Sequence, residues 1–261
     1  LTISGQIDGF KRKYDELTSK NVLNFMIFDQ DNPSSVFSCV KAGRENTRSE
    51  RSILPEEMFE SINTTWIDMQ GLYYDSLEQS GFYEFFEWVK DRTELFRGQT
   101  VSMMVYDDAF QFARMGTYIV RADFTARLLD VKYHILLPPD ATDRGLIDYY
   151  QWGEMLRSVG GWHAYRTIYK EAPVPSKIAE MLIFNPIFPR SMNSAYGEIV
   201  TSLGALRPDT LSLKIAAQEH AFLHTGTLAG ILKERSLHDF LTDFVGFTAR
   251  LSDQIRADFM L

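Results

Sequence analysis

Between residues 108 and 137 the sequence sets ionisable side chains at helical spacing beside an apolar seam. Asp123 with Arg127, and Asp130 with His134, stand four residues apart, and Arg127 with Asp130 three apart, so a helix joins them into one ladder. Two chemistries fit such a ladder. Half-buried carboxylates beside a guanidinium form an acid/base or metal site, with Asp123, Arg127 and Asp130 as candidate catalytic residues. The same groups also neutralise one another as a structural ion-pair network. A second face of this segment offers Arg114, Tyr118, Arg121 and Thr125, whose guanidiniums suit bidentate binding of a carboxylate or phosphate.

A second basic constellation is GRENTRSER, residues 43 to 51, which aligns Arg44, Arg48 and Arg51 on one helical face with Glu45 and Asn46 alongside. Arg44, Glu45, Asn46 and Arg48 are candidates for binding a ligand or partner, and a solvated, ion-paired face is the competing reading. In EHAFLH, Glu219 is followed by His220 and His224, two imidazoles four apart that can chelate a metal from one face. No further Asp, Glu or Cys stands at a telling spacing, so these two are candidates in an expectation of no metal site. Cys39 is a nucleophile only if an imidazole lies beside it; otherwise it is a small hydrophobe. No phosphate-binding glycine loop, nucleophile elbow or paired CxxC occurs, and Gly160-Gly161 is too short to cradle a nucleotide. No motif implies a cofactor.

Composition narrows the class. A chain of 261 residues, 45% hydrophobic and 13% aromatic with ten Met, can bury a large aromatic core. The net charge of −8 and the lack of a long Lys/Arg run argue against a nucleic-acid partner. No stretch approaches the roughly 18 uncharged apolar residues of a spanning helix, and LTISGQIDGF lacks the pattern of a signal peptide. With a single Cys excluding an intrachain disulfide, a cytoplasmic location is the expectation, with no membrane partner. Composition says nothing about oligomeric state.

The elements that position these groups read as helices throughout. Periodicity predicts helices over about 19–28, 33–52, 55–78, 81–106, 108–137, 146–170, 176–185, 189–206, 212–233 and 236–260, starting near Pro33, Pro55 and Pro189 and stopping at Pro138-Pro139. In 108–137 the seam is Phe112, Met115, Ile119, Ala122, Ala126, Leu129, Tyr133 and Leu136, with the two alanines leaving room for a close neighbour. The fold class is all-α, a multi-helix bundle with an internal duplication. Ile27, Phe28, Pro33 and Ser35 match Ile183, Phe184, Pro189 and Ser191 at an offset of 156. GFKRKY from Gly9 echoes AYRTIY from Ala164, and GFYEFFEWV from Gly81 echoes SLHDFLTDF from Ser236, each at 155. Phe82, Phe85, Val89 and Phe96 thereby align with Leu237, Phe240, Phe244 and Leu251, one buried helical face in each copy. The repeats span about 1–106 and 107–261 of a single 1–261 domain. If the long central helix opens the second copy, the first copy is expected to be truncated.

The run FARMGTYIVRADFTARLLDVKYHILLP, residues 112 to 138, resembles the signature of the bacterial alpha-E domain family, an uncharacterised all-helical family. Residues 148–169, 178–192 and 25–63 are similar to its other blocks, so the likeness covers nearly the whole chain. One position departs: the family has Glu just before the Arg-Ala-Asp triplet, where this chain has Val120 before Arg121, Ala122 and Asp123. The resemblance implies a genomic neighbourhood with a circularly permuted ATP-grasp ligase, a transglutaminase-like protein and sometimes a proteasome-related hydrolase. It therefore implies an accessory component of a peptide synthesis or modification system, with the ligase and the transglutaminase-like protein as partners. The alternatives are an enzyme in its own right, acting through Asp123, Arg127 and Asp130, and a purely structural helical scaffold. Val120 weighs against proton transfer and towards pairing or partner recognition.

Overall fold

A computed structural model describes residues 1–135 and 145–260, with side chains given outside Ser80 and residues 133–149; fourteen α-helices and no strand occur among the described residues. They divide into two compact units, Leu1–Phe110 and Gln111–Leu261. The first unit contains α1 (Ile7–Lys13), α2 (Ser19–Ile27), α3 (Val36–Ser49), α4 (Glu56–Gln70), α5 (Tyr74–Ser80) and α6 (Phe82–Met103). The second takes α7 (Asp108–Ile135) from Gln111 onward, then α8 (Gly145–Ser158), α9 (Trp162–Tyr169), α10 (Pro175–Phe184) and α11 (Met192–Leu206). It closes with α12 (Leu211–Thr225), α13 (Leu228–Glu234) and α14 (Leu237–Phe259).

Two expected starts move for one reason. At 33 and 189 the prolines sit in the turn, and the hydroxyls of Ser35 and Ser191 cap α3 and α11 by accepting from the N–H groups of Ser38 and Ser194, at 3.1 and 2.9 Å. The preceding turns are held non-helical by Asp29, whose Oδ1 accepts from the Asp31 N–H, and by Asn185, which accepts from Ile187 and Phe188. Three expected long helices are each broken in two. The breaks fall at Gly71, at Gly160-Gly161 and at Gly226, and Gly160 adopts the left-handed conformation (φ 62°) that terminates α8 without a Cβ clash. Helix α1 has no counterpart among the expected helices, and Pro138-Pro139 lies outside the described residues.

Helix starts recur along the chain. Ile7 and Trp162, Glu56 and Leu211, and Phe82 and Leu237 are 155 apart; Ser19 and Pro175, and Val36 and Met192, 156; Tyr74 and Leu228, 154. Within the first unit α3 packs on α4 and α4 on α6; within the second α11 packs on α12 and α12 on α14.

The two cores differ in quality. The second unit has one continuous core, in which Met115, Ala122, Ala126 and Leu129 of α7 meet Leu182, Tyr196 and Phe240, all nearly or fully buried. Phe112 and Ile119 of the expected seam are partly buried, while the side chains of Tyr133 and Leu136 lie outside the description. The first unit has two smaller clusters, Ile27, Met69, Leu77 and Phe85, and Met58, Met104 and Phe110. Accordingly Leu237, Phe240, Phe244 and Leu251 of α14 are all buried, whereas on α6 only Phe85 is; Phe82, Val89 and Phe96 are half-buried. Among the described residues, no helix is long and apolar enough to cross a membrane.

Candidate functional site

On α7 the carboxylates are already committed. Arg127 donates from Nε to Asp123 Oδ2 at 2.8 Å, with each side chain about one-third exposed. Asp130 does not stay on its own helix: its Oδ1 lies 2.6 Å from Nδ1 of His238 on α14, and the His134 side chain falls outside the description. This hydrogen bond, ahead of the opposing effect of burial, raises the His238 pKa above its ordinary value. Arg114 pairs with Glu198 of α11, and the Arg121 guanidinium lies 5.0 Å from the ring centre of Tyr118. The expected anion-binding face is thus one guanidinium with a carboxylate and one stacked on a phenol. Val120 is 67% exposed, so a Glu at that position would project from the surface of α7.

Of the polar groups that α7 presents inward, sequence reading placed Thr125 on the anion-binding face and passed over Lys132. Thr125 is buried and donates to the Arg190 carbonyl at 2.9 Å. Lys132 is only 3% exposed; its Nζ donates to Gln151 Oε1 at 2.6 Å and lies 5.1 Å from the Trp152 ring. The available signal was phase: Ala122, Thr125, Leu129 and Lys132 follow the same 3-4-3 row. Asp130, by contrast, carries no local mark that its partner stands 108 residues away.

His220 and His224 have ring centres 6.0 Å apart on α12. Among the described residues no group of three or more His, Cys, Asp or Glu is arranged to hold a metal ion. Burial, then the nearby His224, lowers the His220 pKa, and burial raises that of Glu219. His220 is packed against α11: a Cβ on Gly197 would stand 3.1 Å from His220 Nε2.

In the first unit the basic face of α3 forms a cluster with α4. Arg44 donates from Nε to Asn63 Oδ1 at 2.8 Å and from Nη1 to Glu45 Oε1 at 2.6 Å, while Arg48 reaches Glu45 Oε2 at 3.2 Å. One carboxylate therefore serves two guanidiniums. Arg48 remains 62% exposed. Asn46 is exposed, and its carbonyl receives the Ser49 hydroxyl and the Glu50 N–H at the end of α3. Arg51 lies beyond that end, near Glu56 at 3.7 Å and 4.7 Å from the Phe59 ring. Cys39, near the start of α3, has its thiol pKa pushed up by burial, and all five histidines lie in the second unit, so the first unit supplies no imidazole to activate it.

A family model described as a predicted alpha-helical domain with a conserved ER motif matches residues 1–260. The chain belongs to the Alpha-E family. Comparison with curated proteins and with solved structures gives no significant match. This Alpha-E chain has two Glu-Arg dipeptides, Glu50-Arg51 and Glu234-Arg235, and has Val120-Arg121 on α7. The two dipeptide arginines play parallel parts. Arg51 sits between Glu56 and the Phe59 ring, and Arg235 pairs with Asp243 at 2.6 Å and lies 5.0 Å from the Phe240 ring. Each joins the end of one helix to the start of another.

Proposed function

We propose that this Alpha-E protein is an accessory, cytoplasmic component of a bacterial ATP-grasp-associated peptide synthesis or modification system, and that the α3–α4 arginine cluster engages the partner ligase or its peptide. The observation that carries this reading is the sharing of Glu45 by Arg44 and Arg48. Two guanidiniums on one carboxylate leave an excess positive charge and free N–H donors at an exposed edge, suited to a partner carboxylate or phosphate. The competing acid/base reading loses support because Asp123 and Asp130 each hold a cationic or hydrogen-bonding partner in place. Recurrence of helix starts across the two units supports a further part of the same reading, that the units are two copies of one helical arrangement.

The test is binding of the intact chain to the ATP-grasp ligase encoded beside it, measured by biolayer interferometry. Arg48→Ala, which removes an exposed side chain, is expected to weaken binding about tenfold, as loss of a charge-assisted contact does. Equal affinity of the variant and the parent, with unchanged circular dichroism, would count against the assignment.

A further inference from the structure

The first unit contains a cavity of about 360 Å³ between α3, α4 and α6, open to solvent on one side. Its walls are apolar, formed by Val36, Val40, Ile62, Trp88, Val89 and Phe96. The second unit packs α11 on α12 and α12 on α14 as the first packs α3 on α4 and α4 on α6, and helix position shows where the side chains differ. The fifth and eighth residues of α11 are Tyr196 and Ile199, both fully buried; those of α3 are Val40 and Gly43, both lining the cavity. Tyr196 closes its core by hydrogen bonding at 2.8 Å to Thr248, the twelfth residue of α14. The twelfth residue of α6 is Thr93, also at the cavity, and its hydroxyl turns back to the Val89 carbonyl of its own helix. At these two helix positions the first unit has an isopropyl group and a hydrogen where the second has a phenol ring and a butyl group. An apolar recess keeps its lining in contact with water until a ligand covers it, and a volume of about 300–1,000 Å³ is that of small-molecule sites.

Two cations line this cavity. Arg92 is spoken for: it lies 3.7 Å from Asp68 and 5.8 Å from the centre of the Trp88 ring. Arg97, half-buried, has no carboxylate within salt-bridge distance among the described residues. A single uncommitted guanidinium beside apolar walls matches a monoanion better than a phosphate dianion. We infer that the α3–α4–α6 cavity of the first unit binds a small amphipathic carboxylate, its apolar body in the space at Val40 and Gly43 and its carboxylate on Arg97. This site is separate from the α3–α4 arginine cluster, and its success or failure does not depend on a partner ligase.

The experiment is calorimetric titration of the intact chain with octanoate and with N-acetyl-phenylalanine, each beside its neutral counterpart, octanol and N-acetyl-phenylalanine amide. Binding of either acid with a dissociation constant of about 0.1–1 mM is expected for ligands of this size, and the two acids distinguish an alkyl from an aminoacyl body. The neutral counterpart should bind about tenfold more weakly, and Arg97→Met should reduce the acid to that level. Val40→Phe should abolish binding of both by filling the cavity; if it fails to fold, Arg97→Met decides alone. No binding of either acid up to about 10 mM, or equal binding of acid and neutral counterpart, would overturn the inference.

Discussion

Nδ1 of His238 and Oδ1 of Asp130 stand 2.6 Å apart, joining α14 to α7 in the second unit. Because the bond favours the imidazolium, the folded-state pKa of His238 lies above the ordinary 6.5. Its stabilising contribution is therefore complete below about pH 6.5 and is lost as the pH rises through the raised value. Titration of the His238 ring by NMR should show that elevation, and Asp130→Asn should remove it.

His220 should move the other way. Packed on Gly197 and close to His224, it has a lowered pKa, so it favours the fold when neutral. That contribution is present above about pH 6.5 and lost as the pH falls through the depressed value. In one set of NMR titrations His220 and His238 should fall on opposite sides of 6.5; a raised value for His220 would contradict the packing of α11 on α12, and a lowered one for His238 the bond to Asp130.

Tyr196 and Thr248 hydrogen bond to each other in the buried core. Tyr196→Phe leaves the Thr248 hydroxyl without this partner and should cost about 1–2 kcal/mol in urea unfolding. The double change with Thr248→Val should recover part of that loss, because it removes the orphaned hydroxyl as well.

Ser191 caps α11 through Ser194 and also donates to the Asn185 carbonyl, so it holds both sides of the turn. Ser191→Ala should destabilise by about 1–2 kcal/mol, near the upper range for a cap. The smaller loss expected for Ser35→Ala would reflect the absence of a hydrogen bond from Ser35 across its own turn to the Asp29 carbonyl; there Ser38 makes that contact, at 3.4 Å.

Val120→Glu places an acid where the resemblance to the family implies one. Since Val120 is largely exposed on α7, the change should leave stability within about 0.5 kcal/mol by thermal unfolding. A large loss would show that this face of α7 is covered in solution.

Helix type and the buried stripe of α7 were legible because both depend on short-range periodicity: Met115, Ala122, Ala126 and Leu129 announce themselves by spacing alone. The helix starts at Ser35 and Ser191 were displaced from the prolines because a capping hydroxyl and an Asx turn compete with proline for the same boundary. Lys132 was passed over because burial of a lysine requires a particular acceptor, Gln151, which lies on another helix.

The sequence by itself determined that this chain is helical, that α7 carries acids and bases beside an apolar stripe, and that it resembles the Alpha-E family. Those properties reside in residues within a few turns of one another or in whole-chain likeness. The Asp123–Arg127 pair follows from spacing, but only the tertiary structure decided that Asp130 goes to His238, Arg114 to Glu198, and Arg44 to Asn63 as well as Glu45. It alone also opened a cavity at Val40 and Gly43 in the first unit and buried Tyr196 and Ile199 fully in the second. Pairing and cavity formation depend on which helices meet, and a side chain's own neighbours in the chain do not encode that.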